Sequence, residues 1–117
     1  MGFKLAFAKV SSENDKTYVY TVSGAGTSEV NGDYWDSGET TYTNNDDKTE
    51  TVPVYINDKG SKLYYNTDNL MWVLESENDP GNILYDGAGQ YDKVVGTYRD
   101  FNAGDGTSPV VAEYNRM

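Results

Sequence analysis

Asp33, Tyr34, Trp35 and Asp36 stand side by side in a turn-rich stretch, two rings flanked by two carboxylates. Sugar-binding surfaces are commonly built from such groups: a ring stacks on the C–H face of a pyranose while the acids accept its hydroxyls. The same residues would serve equally well as an edge strand packed on another subunit. Trp72 reads differently, because Met71-Trp72-Val73-Leu74 is a continuous apolar run and a ring there belongs to the core. Phe3, Leu5 and Phe7 alternate with Lys4 and Ala6, the period-two pattern of a strand with one buried face, and make a candidate assembly contact.

The common catalytic constellations are excluded. The chain of 117 residues contains no histidine and no cysteine, so a Ser-His-Asp site, a Cys-His site and a His-ligated zinc site cannot form. Paired carboxylates for glycoside hydrolysis are defined by distance in space, which spacing along the chain does not give. No catalytic residue is assigned, and a non-enzymatic role is expected. The runs 44–47 and 100–105 carry the oxygens that hard cations take but lack the D-x-D-x-D-G loop, so both are expected to be solvated turns, with no metal and no cofactor. Gly24-Ala25-Gly26 has neither the Gly-Lys-Ser/Thr tail nor the following helix of a phosphate cradle and reads as a structural corner. Nineteen acidic against nine basic residues give a formal charge of -10, dispersed along the chain. That balance opposes nucleic acid and anionic membrane as partners, because phosphate contacts need clustered Lys and Arg. No run reaches the roughly 18 apolar residues of a membrane span. Lys9 cuts the N-terminal apolar stretch too short for a signal peptide.

Positioning falls to strands. The apolar supply is modest, with 37% hydrophobic residues, and eleven tyrosines must serve as core material as well as surface. Strand-like runs are expected at 18–22, 30–35, 40–43, 51–56, 62–65, 71–75, 82–85, 94–98 and 110–114, separated by Asn/Asp/Gly-rich turns. Asn31-Gly32 is the strongest hairpin signal. This cadence predicts one all-β domain over 1–117, an antiparallel small barrel, sandwich or meander of about 8–10 short strands.

Val22-Ser23-Gly24-Ala25-Gly26, Asn31-Gly32-Asp33-Tyr34, Pro53-Val54-Tyr55, Leu63-Tyr64-Tyr65, Trp72-Val73-Leu74 and Ser108-Pro109-Val110-Val111 follow one another in that order. The order resembles a small β-rich module of phage tail and virion proteins and of microbial surface proteins, with one proline of a late pair missing. The likeness covers about 18–114 and leaves 1–17 as an N-terminal strand or arm. It implies a β-rich fold and a virion or surface setting and leaves the ligand open. The reading that fits best is a non-enzymatic structural or adhesive protein of a phage virion, a capsid decoration or tail-associated component present in many copies. Such a protein would contact other virion or surface proteins and, through its aromatic residues, a host glycan. The alternative is a carbohydrate-binding or carbohydrate-active domain of a bacterial surface protein. Either implies a place on a virion or a cell surface.

Overall fold

In a computed structural model that describes residues 17–43 and 50–115, alternation becomes pairing along most of the chain. The assembly residues Phe3, Leu5 and Phe7 and the turn at 44–47 lie outside the described residues. The strands are β1 (Tyr18–Ser23), β2 (Gly32–Thr43), β3 (Glu50–Ile56), β4 (Lys62–Asn66), β5 (Met71–Glu75), β6 (Tyr85–Asp86), β7 (Gly96–Thr97), β8 (Arg99–Asp100) and β9 (Val110–Glu113). They form one antiparallel sheet in the order β7-β9-β1-β2-β3-β4-β5-β6-β8. The all-β expectation is met, and the described residues add one three-residue 3-10 turn, Ser28–Val30.

Of the three architectures expected, the chain takes the barrel. The two ends of the sheet order, β7 and β8, are separated only by Tyr98. One short segment therefore pairs with β9 through its first half and with β6 through its second, nearly closing the sheet. Tyr98 N–H donates to Pro109 O at 2.8 Å, and the Tyr98 ring fills the interior at the seam. A barrel of this size is narrow enough to be filled by its own side chains.

Tyrosine supplies that filling. Tyr34, Tyr65, Tyr85, Tyr98 and Trp72 are the largest fully buried side chains. A buried phenol or indole needs a partner for its polar end, and each has one. Tyr34 OH donates to Val30 O at 2.6 Å and Tyr98 OH to Val94 O at 2.6 Å, each bridging back four residues. Tyr65 OH reaches Gly89 O at 2.7 Å, Trp72 Nε1 reaches Gln90 O at 3.1 Å, and Tyr85 OH donates to the Asp105 carboxylate. Rings touch along the interior from Tyr20 to Tyr55 to Trp72 to Tyr65, with centroids 4.9, 6.3 and 5.7 Å apart.

Two expectations are corrected. Asn31-Gly32 is not a two-residue hairpin: Asn31 is extended, with φ -78° and ψ 150°. Its side-chain amide instead clasps Ala25, accepting from Ala25 N at 3.0 Å and donating to Ala25 O at 2.9 Å, so the connection between β1 and β2 is longer. The separate runs 30–35 and 40–43 fuse into the single strand β2 across an irregularity between Asp36 and Thr40. Gly38 takes φ +89° there. Asp36 Oδ1 accepts from Gly38 N at 2.8 Å, and Ser37 Oγ donates to Val54 O at 2.7 Å. Beyond this bulge, 40–43 and 50–53 pair with each other as a two-stranded ribbon, because β2 meets β1 only up to Trp35 and β3 meets β4 only at Tyr55 and Ile56.

Candidate functional site

The four residues singled out from the sequence divide between the two faces of β2. Period-two alternation sends Tyr34 inward, where it is 0% exposed, and it is thereby corrected from a surface contact to a core residue. Asp36 has the same parity as Tyr34, sits opposite Tyr55 and uses an oxygen to cap the bulge. Its negative charge contributes to raising the Tyr55 hydroxyl above its ordinary pKa, after burial and Tyr20. Asp36 therefore belongs to the rim of the barrel's inner face and not to the Trp35 surface. Asp33 and Trp35 remain together, facing outward.

The register of the sheet brings two further rings to them. Tyr18 on β1 lies opposite Trp35, their centroids 6.0 Å apart in an edge arrangement at 72°. Tyr114, whose N–H donates to Val19 O at 2.9 Å just beyond β9, packs its ring 5.1 Å from that of Tyr18. All three rings are half-buried. The result is a continuous aromatic patch crossing the chain after β9, β1 and β2.

Acids border this patch. Asp33 accepts from Thr21 Oγ1 at 2.7 Å, which fixes the carboxylate beside the rings. The Tyr18 hydroxyl is raised above its ordinary pKa by partial burial, then by the charges of Asp58 and Asp33. The two carboxylates add negative charge beside the rings. A small cavity of about 110 Å³ adjoins them, lined by Asn31, Gly32, Asp33, Asn57, Asp58 and Lys59. Its base is rigid: the buried Asn57 donates to Glu29 O at 2.9 Å and accepts from Ser61 N at 2.9 Å and Lys59 N at 3.1 Å. Patch and cavity together offer ring surface, carboxylate acceptors and one ammonium donor.

A second recess lies on the same outer wall, where the ribbon leans across β3, β4 and β5. It holds about 190 Å³ and is lined by Glu39, Thr41, Val54, Lys62, Tyr64 and Glu75 among others. Glu75 is only 9% exposed, and its Oε1 accepts from Tyr64 OH at 2.7 Å. Burial, reinforced by this hydrogen bond and the Glu75 charge, pushes the Tyr64 hydroxyl up to about 12. Among the described residues, Thr41 Oγ1 is the buried side-chain oxygen left without a hydrogen-bond partner.

The carboxylates of 100–105 are engaged by their own loop. Asp100 accepts from Gly104 N at 3.0 Å and Gly106 N at 2.6 Å, and Asp105 accepts from Thr107 N at 2.9 Å. Among the described residues no group of three or more His, Cys, Asp or Glu is placed to hold a metal ion.

Tyr18, Tyr114 and Asp58 were not among the residues the sequence singled out. Tyr18 and Tyr114 could be found only from strand register, and Asp58 only from the folding of its turn against β2. Comparison with family models, curated proteins and solved structures finds no match to this chain.

Proposed function

We propose that the protein is a non-enzymatic structural and adhesive module of a virion, a decoration or tail-associated component, and that it meets a host glycan with the Tyr18, Trp35 and Tyr114 surface. The observation that carries the binding reading is the three-ring patch bordered by Asp33 and Asp58, with ring centroids 6.0 and 5.1 Å apart. Rings present apolar area at low conformational cost, and neighbouring carboxylates accept sugar hydroxyls. The order of motifs from Val22 to Val111 supports the virion setting. In many copies, weak single-site contacts become useful avidity because each later contact is intramolecular.

The test is binding of the purified protein to a glycan array that includes neutral oligosaccharides and bacterial surface polysaccharides. Trp35→Ala is expected to weaken the positive signals by at least about tenfold, equivalent to about 1.4 kcal/mol. Binding that survives this substitution overturns the patch as the contact. Detection of the chain in purified particles tests the setting.

A further inference from the structure

We propose that the recess beneath the ribbon is a second, polar subsite for the same ligand, seating one unit of a neutral oligosaccharide whose neighbouring units cross Ile56 to reach Trp35. This rests on the glycan reading above and extends it from a patch to a track across four strands. Register defines the track. Trp35 lies opposite Ile56, Ile56 opposite Lys62, and Lys62 opposite Glu75. Directly opposed residues of antiparallel strands share a face, so these side chains form a row at right angles to β2, β3, β4 and β5. With strands about 4.8 Å apart, Trp35 and Lys62 are two spacings, about 10 Å, from each other, and Glu75 is about 14 Å from Trp35. A pyranose advances by about one such spacing, roughly 5 Å, so a linear chain of about three or four units spans the row.

The recess differs from the ring patch in its chemistry. The Glu75 carboxylate, nine-tenths buried and oriented by Tyr64 OH at 2.7 Å, presents a fixed acceptor. Lys62, directly opposite on β4, brings a donor, and Val54 supplies an apolar wall. Thr41 borders the same recess, with its Oγ1 closed off from solvent. Two carboxylates against one ammonium, in a chain of formal charge -10, disfavour uronic, sialic and phosphorylated sugars. The occupant is therefore a neutral unit rich in hydroxyls.

The test uses the whole chain and linear gluco- and N-acetylgluco-oligosaccharides of two to five units, measured by calorimetry. Affinity is expected to rise by roughly tenfold or more between the dimer and the tetramer. Lys62→Met is expected to remove that gain while leaving dimer binding and the melting temperature near their parent values. Amide shift mapping on the unsubstituted protein provides a readout independent of the variants: the tetramer should move Lys62, Tyr64 and Glu75 as well as Tyr18 and Trp35, and the dimer only the latter pair. Equal affinity for dimer and tetramer, with both abolished by Trp35→Ala, overturns the recess and leaves the patch. Tetramer shifts confined to Tyr18, Trp35 and Tyr114 do the same. No binding by any oligosaccharide overturns patch and recess together.

Discussion

Tyr34, Tyr65 and Tyr98 are each held at both ends, by the ring in the interior and by the hydroxyl on a backbone carbonyl. Tyr34→Phe keeps the ring and strips Val30 O of a partner 2.6 Å away. Leaving a buried acceptor unsatisfied costs about 1–3 kcal/mol, which urea unfolding will read as a lower midpoint. Tyr42→Phe, at a ring 58% exposed, should change stability by less than about 0.5 kcal/mol. Equal effects of the two substitutions would remove the hydroxyl from the account of the core. Asp105 makes a second prediction at this scale. Hydrogen bonds from the side chains of Thr107 and Tyr85, then from the Thr107 amide, hold its carboxyl down from 3.8 to about 2. A carboxyl whose folded pKa lies below its unfolded value stabilises the fold fully above the unfolded pKa, about 3.9 for Asp, and loses that contribution as pH falls toward the folded one. Asp100, lowered by the amides of Gly106 and Gly104, acts with the same sign. The melting temperature should therefore drop as pH falls from about 4 to about 2, and Asp105→Asn should flatten part of that drop. An unchanged acid limb in the variant would contradict the assignment.

Strands differ in how far the chain announces them. β1, β3, β4, β5 and β9 coincide closely with the runs expected from alternation and turn chemistry, because each has enough length to show its period. The runs at 82–85 and 94–98 shrink to the two-residue strands β6 and β7, with β8 formed beyond the second run. Their pairing depends on which distant strand they meet, and no local pattern records that. The division of Tyr34 and Asp36 from Trp35 was legible in principle, since neighbours in a strand point to opposite faces. The arrival of Tyr18 and Tyr114 beside Trp35 was not, since it depends on register. Close packing at the seam gives the prediction for this scale. A Cβ placed on Gly87 would stand 2.5 Å from Cε1 of the buried Tyr98 ring. Gly87→Ala should cost about 1–3 kcal/mol through overpacking, and combination with Tyr98→Leu should cost less than the sum of the two. Strict additivity in that cycle would show that the ring is not what the methyl group meets.

Among the described residues, the pairing of β1 with β9 joins segments far apart in the chain. These are the first and last of the described strands, and Tyr20 pairs with Glu113. Loop closure must precede the reward of such pairing, so refolding is expected in the millisecond-to-second range usual for β topologies of this kind. Stopped-flow fluorescence of Trp72 and Trp35 will measure it, and microsecond refolding would contradict a closed order of strands. Native-state hydrogen exchange should place the Tyr98 amide, bonded to Pro109 O, in the slowest class with the amides of β5. Rapid exchange there would mean that the seam opens independently of the barrel. The nearly closed seam also governs what kind of polymer this protein is able to become. Among the described residues, β2 beyond Trp35 and β3 before Tyr55 are paired only with each other, and Pro53 on β3 offers no N–H to a newcomer. Strand addition at the ribbon is therefore interrupted at Pro53, which favours an ordered array of copies cemented by side chains.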